Sequence, residues 1–129
     1  MSKLTTILHV DDDADMRAVV QVALRDLGGF DVRQARDGAE AVEMADESRP
    51  DLIILDMMMP RMDGRETLAA IHRLPGLKDL PAIFLTAKTG RDVQAAAASP
   101  GVLGVILKPF SVTALGDQVR RKWNVCAAG

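Results

Sequence analysis

Asp11, Asp12 and Asp13 follow the apolar run TILHV, Asp56 follows LIIL, Thr86 follows AIFL and Lys108 follows VLGVIL. Asp and Thr commonly cap helices and Lys commonly reaches to solvent, so one such residue alone carries little weight. Jointly they pose an electrostatic problem. Asp13 is most simply read as a helix cap, yet Asp11 and Asp12 cannot both cap the same helix, and Asp56 is followed by Met57-Met58-Met59-Pro60 instead of a helix. Carboxylates about 4 Å apart repel by roughly 4 kcal/mol at the effective dielectric of a partly buried site, so a cluster of three needs a cation or a proton. A divalent ion is the economical answer. Oxygen donors without clustered His or Cys select a hard cation, and a site with few carboxylates and room for water and phosphate oxygens suits Mg²⁺ better than a closed Ca²⁺ cage. Lys108 is a compact positive charge that can move onto a phosphate, and the Thr86 hydroxyl can donate to one. The set fits a phosphoryl group.

These residues meet only if the apolar runs before them lie side by side. Thr6 to Val10 reads as a first strand, followed by a helix capped by Asp13 with Met16, Val20, Ala23 and Leu27 on one face, stopped at Gly28-Gly29. A short strand over Phe30 to Gln34 leads through Arg36-Asp37-Gly38 into a helix with Ala39, Val42 and Ala45 on one side. Pro50 ends that segment before the Leu52 to Leu55 strand. Asp63 and Glu66 form a capping-box pattern for a helix bearing Leu68 and Ile71, closed by Pro75-Gly76. Ala82 to Leu85 is a fourth strand; Thr89 with Asp92 predicts the cap of an alanine-rich helix that ends at Ser99-Pro100-Gly101. Val102 to Leu107 is the fifth strand, and a last helix starts near Ser111 with Val112, Leu115, Val119 and Trp123 at core spacing.

Five strands alternating with five helices, with near-continuous apolar strand cores, predict an α/β fold: a doubly wound parallel sheet covered on both faces. Ligands in such folds bind beyond the carboxyl ends of the strands, where the six polar residues fall. With 129 residues, 48% hydrophobic and 26% charged, the chain fits one domain with a real core. A net charge of −2 without a basic run argues against direct nucleic-acid binding. MSKLTTILHV reaches Asp11 before a signal peptide could be completed, and no apolar run approaches the ~20 residues of a membrane span, so a cytoplasmic protein without membrane insertion is expected. The single cysteine, Cys126, can neither pair internally nor complete a metal site and is assigned no chemistry.

Asp11-Asp12, Asp56 within LDMMMPRMDG, Thr86-Ala87 within FLTA, and Lys108-Pro109-Phe110, in this order at the ends of strands one, three, four and five, resemble the receiver domain of bacterial two-component response regulators, in the stand-alone form of chemotaxis regulators. The resemblance spans essentially the whole chain and implies a single receiver domain over residues 1–129 without an output domain. It further implies the flavodoxin-like strand order 2-1-3-4-5, Mg²⁺ as cofactor, and a phosphoryl group accepted on Asp56 from a sensor histidine kinase or histidine phosphotransfer protein. Asp12 and Asp56 would ligate Mg²⁺ directly, Asp11 mainly through water, and Met58 through its main-chain carbonyl. Thr86 and Lys108 would hold phosphoryl oxygens, and the Lys108-Pro109 bond would be cis. Such a chain is a phosphoacceptor that catalyses its own phosphotransfer and autodephosphorylation, and it signals to a downstream protein by contact or by onward phosphotransfer.

Val105 departs from the family pattern by standing where Tyr or Phe is common, which removes the ring that follows the threonine and shifts the expected coupling to the Ala87 to Arg91 loop. Ser99-Pro100-Gly101 replaces a more usual Ala-Gly-Ala-like stretch, while Met58 and Lys88 occupy variable positions bordering the path of attacking water and bear on phosphoryl lifetime. His9 and His72 lack a second His or a Cys nearby in sequence and are given no ligand role, and the methionines around Asp56 are read as gap-fillers. Two rival functions are disfavoured. A haloacid-dehalogenase-like phosphohydrolase would carry a second acid at position 58, which is Met, and a module that had lost phosphorylation would lack one of Asp12, Asp56, Thr86 or Lys108.

Overall fold

Alternation along the first strand decides which helices cover which face. In the computed structural model, which describes residues 3–128, Leu8 and Val10 of β1 (Thr6–Val10) turn toward one hydrophobic cluster and Ile7 toward the other. The Cys126 side chain lies outside the described residues. The remaining strands are β2 (Asp31–Ala35), β3 (Leu52–Leu55), β4 (Ala82–Thr86) and β5 (Val102–Leu107). All pairings are parallel, in the order β2-β1-β3-β4-β5. Every residue of the inner strand β3 is buried, which is why it reads as the unbroken run LIIL.

The helices are α1 (Ala14–Gln21), α2 (Gly38–Ser48), α3 (Gly64–His72), α4 (Arg91–Ala97) and α5 (Leu115–Ala128). Val20 from α1 and Leu115 and Val119 from α5 pack with Ile7, Leu52, Ile54, Ile83, Leu85 and Ile106 on one face. Ala41 and Ala45 from α2, Leu68 and Ile71 from α3, and Val93 and Ala96 from α4 cover Leu8, Val10, Ile53, Leu55, Ala82 and Phe84 on the other. At about 1.5–3 kcal/mol for each large apolar side chain removed from water, these two layers hold the strand ends in fixed register.

Several local expectations need correction. The helix after β1 does not bury Leu27, which is 59% exposed. Residues Val22–Asp26 form a π-helical segment, and its extra residue per turn rotates the following side chains so that Leu24 faces the core instead. In α2 the buried stripe is Gly38, Ala41 and Ala45, with Ala39 exposed. β2 begins one residue later than expected, at Asp31, and α5 begins at Leu115 after a turn in which Ser111 O accepts from the N–H groups of Ala114 and Leu115. Thr89 does not cap α4: the cap is Gly90 at φ 104°, without a side-chain hydrogen bond. The Asp13 cap and the Asp63/Glu66 capping box form as the sequence predicts.

Candidate functional site

The acidic loop is built from the backbone outward. The Asp11 N–H donates to Ala35 O at the end of β2, and the Asp56 N–H donates to Val10 O, so the ladder carries both acids one residue past their strands in fixed register. The Asp11 carboxylate accepts from the Asp13 N–H at 2.9 Å, which leaves Asp13 free to cap α1. Arg17, one turn into α1, donates through Nη1 to Asp11 O at 2.8 Å and pins the loop from its other side. On the Asp56 side, Gly64 approaches so closely that a Cβ there would lie 2.2 Å from Asp56 O. Neither Arg17 nor Gly64 was singled out as a site residue. The available signals were a cation one turn after three acids and a glycine at the first position of a helix next to Asp56.

The carboxylates of Asp11, Asp12 and Asp56 come together, with one oxygen of each within 4.8 Å of the others. Asp11 and Asp56 are buried and Asp12 is exposed, so the cluster opens to solvent on the Asp12 side. The Lys108 ammonium bridges the two buried acids, 2.7 Å from Asp11 Oδ2 and 3.1 Å from Asp56 Oδ2. Burial pulls the Lys108 pKa down, but the hydrogen bonds and charges of Asp11 and Asp56 outweigh it and hold the group above its ordinary value. The other Asp56 oxygen, Oδ1, accepts from the Met58 N–H at 3.2 Å, while the Met58 side chain is exposed. Met57 and Met59 are buried and fill the core beneath the loop, in keeping with a packing role.

Thr86 ends β4, beside β3 and opposite Leu107 of β5. It is buried, and its Oγ1 accepts from the Lys88 N–H at 3.1 Å. The Lys108 N–H continues the ladder to Thr86 O at 2.9 Å, and the Lys108-Pro109 peptide bond is cis. Val105 pairs with Phe84 and, half-buried, packs against the α2–α4 side of the core.

His9 lies beneath this edge and is fully buried. The Gln34 amide nitrogen donates both to His9 Nδ1 at 3.1 Å and to Arg17 O at 2.7 Å, so the ring proton resides on Nε2, which has no partner among the described residues. Burial first, then the charges of Lys108 and Arg17, push the His9 pKa down to about 3. The ring is therefore a neutral structural element of the loop's support. His72 Nε2 donates to Leu80 O at 3.0 Å, away from the acids.

Three carboxyl groups facing one ammonium leave room for a divalent cation, and every donor is a hard oxygen, so the residues present fit Mg²⁺. Among the described residues, no helix is long and apolar enough to cross a membrane.

Comparison with known proteins agrees with this geometry. Residues 7–120 match the family described as response regulator receiver domain. The chain is 36% identical over 115 residues to chemotaxis protein CheY of Pseudomonas aeruginosa, covering 89% of this chain and 93% of that one. It is 37% identical over 119 residues to chemotaxis protein CheY-3 of Vibrio cholerae, covering 92% of each. Against transcriptional regulatory protein PrrA of Mycobacterium tuberculosis it is 39% identical over 114 residues, 88% of this chain but 48% of the relative. Among solved structures, Vibrio cholerae CheY4 superposes with a TM-score of 0.83 at 33% identity, over 92% of this chain and 98% of that one. The chain belongs to the response regulator receiver domain family.

Proposed function

We propose that this chain is a phosphorylation switch in which Asp56 accepts a phosphoryl group from the phosphohistidine of a sensor histidine kinase or histidine phosphotransfer protein. The observation that carries this reading is the Lys108 ammonium bridging Asp11 and Asp56 beside the open Asp12 side of the cluster. A carboxylate on a rigid strand end is a positioned nucleophile. An Asp56 oxygen forms a bond to phosphorus as the bond from phosphorus to the histidine nitrogen breaks, which leaves a mixed anhydride on Asp56. Lys108 moves with the charge, from the Asp56 carboxylate onto a phosphoryl oxygen, and the Thr86 hydroxyl donates to another. Mg²⁺ would be held by Asp12, Asp56 and the Met58 carbonyl, with Asp11 acting through water; when bound it neutralises charge on the equatorial oxygens. Hydrolysis of the anhydride resets the switch, with Met58 and Lys88 bordering the approach of water.

The Lys88 N–H already rests on Thr86 Oγ1, so a hydroxyl that turns toward a phosphoryl group releases the backbone of the β4–α4 loop. With Val105 too small to follow the hydroxyl, the change reaches the surface through that loop, toward a downstream protein or an onward phosphotransfer partner. Exposure to acetyl phosphate with Mg²⁺, followed by mass spectrometry, tests the assignment: the wild type gains one phosphoryl group and Asp56→Asn gains none.

A further inference from the structure

A polar pair interrupts one apolar layer of the sheet. Ile7, Val32, Leu52 and Ile54 line the α1–α5 face of β1, β2 and β3, yet the strand register sets His9 of β1 beside Gln34 of β2 in that same layer. Replacing two bonded polar partners by apolar groups of similar shape is nearly neutral for stability, so packing alone gives no reason for the pair. Its contacts supply one.

The Gln34 amide nitrogen lies 3.1 Å from His9 Nδ1 and 2.7 Å from Arg17 O, so one side chain ties β2 both to β1 and to α1. The Arg17 side chain carries the connection onward: its Nη1 donates to Asp11 O at 2.8 Å. That oxygen belongs to the planar peptide leading into Asp12, so gripping it orients the Asp12 main chain. Asp12 needs such support. Its side chain is exposed and has no hydrogen bond among the described residues, whereas Asp11 and Asp56 are buried and held by Lys108. The Asp11 N–H meets Ala35 O, one residue after Gln34, so β2 holds the acidic loop twice: directly through its main chain, and through Gln34 and Arg17.

We propose that Gln34 is a positioning residue for the metal and phosphoryl site: it fixes the main chain of Arg17, which aims the guanidinium at Asp11 O and sets where the Asp12 carboxylate stands. Gln34 touches neither the acids nor a phosphoryl group and acts only through Arg17. The proposal rests on the phosphotransfer reading for the use made of the site.

Isothermal titration calorimetry with Mg²⁺ tests it. Gln34→Leu, similar in size but able to make neither bond, should weaken Mg²⁺ binding about tenfold, the low end of what losing an outer-shell partner costs. His9→Leu combined with Gln34→Leu removes the ring left without its donor and completes the apolar layer, so the urea midpoint should return toward wild type while Mg²⁺ binding stays weak. A role in packing alone would restore both together. In an Arg17→Met background, Gln34→Leu should have no further effect on Mg²⁺ affinity, because the relay is already cut. Labelling of Asp56 by acetyl phosphate should slow in Gln34→Leu at limiting Mg²⁺ and recover at saturating Mg²⁺. If the wild type takes no label, the phosphotransfer reading falls and the calorimetry still decides the role of Gln34. If the wild type labels and Gln34→Leu binds Mg²⁺ within about twofold of it, this proposal falls and that reading stands. Recovery of affinity along with stability in the combined His9→Leu and Gln34→Leu variant, or an undiminished effect of Gln34→Leu beside Arg17→Met, would also overturn it.

Discussion

Lys108 Nζ lies 3.1 Å from Asp56 Oδ2, so the cation is already in contact with the carboxylate proposed as the phosphoryl acceptor. The Lys108 side chain is 13% exposed and that of Asp56 12%, so little water is available to replace either partner. Lys108→Met leaves the buried acids without their cation. Removing one member of a buried pair costs about 3–5 kcal/mol, so urea unfolding in metal-free buffer should show a loss toward that range. The same variant should bind Mg²⁺ at least as tightly as the wild type, because its competitor for the carboxylates is gone, yet take up phosphate more slowly.

Asp12 is the exposed member of the cluster, and its removal should expose the metal's contribution to stability most cleanly. At a hundredfold excess over its dissociation constant, Mg²⁺ should stabilise the wild type by about 2.7 kcal/mol. Asp12→Ala should lose most of that increment in a thermal melt. A wild-type melting temperature indifferent to Mg²⁺ would count against the site.

Gly64 connects the start of α3 to the main chain of Asp56. A Cβ at this position would sit 2.2 Å from Asp56 O and 2.9 Å from Met57 Cα, both main-chain atoms that cannot swing aside. Gly64→Ala should therefore destabilise by about 1–3 kcal/mol through forced backbone shifts and slow phosphorylation together. A variant with wild-type stability and labelling rate would show that the β3–α3 loop yields more easily than its contacts suggest.

His9 supplies a pH signature. Its folded pKa, about 3, lies below the ordinary histidine value of 6.5, so between those limits the unfolded chain binds a proton that the folded chain refuses. Stability from this group is complete above about pH 6.5 and is lost as pH falls toward 3, with a slope near 1.4 kcal/mol per pH unit inside the window. In metal-free buffer, His9→Gln should flatten the pH dependence of the unfolding free energy over that interval. An unchanged slope would place the acid sensitivity elsewhere.

What the sequence made legible follows from the range of the interactions. The Asp63/Glu66 capping box and the Asp13 cap involve residues within three positions, and both form. The polar residues after the apolar runs were readable because parallel strands deliver their carboxyl ends to one edge; Asp11, Asp12, Asp56 and Lys108 duly meet there. Thr89 misled because the loop before α4 answers to a contact outside the helix: the Lys88 N–H sits on Thr86 Oγ1, and the cap falls one residue later, at Gly90. Leu27 misled because a π-helical segment changes the period on which its burial was judged. Arg17 and Gln34 escaped notice because their roles are tertiary, with Gln34 joining β2 to both His9 and the main chain of α1.

The central claim is that Asp56 is the phosphoacceptor, and the most direct measurement is peptide-level mass spectrometry after exposure to acetyl phosphate and Mg²⁺. The reactive acyl phosphate is trapped by borohydride reduction before digestion. The account predicts one modified residue, Asp56, in the wild type, and an unmodified chain in Asp56→Asn. Modification of Asp11, Asp12 or any other residue at wild-type yield in Asp56→Asn would contradict it.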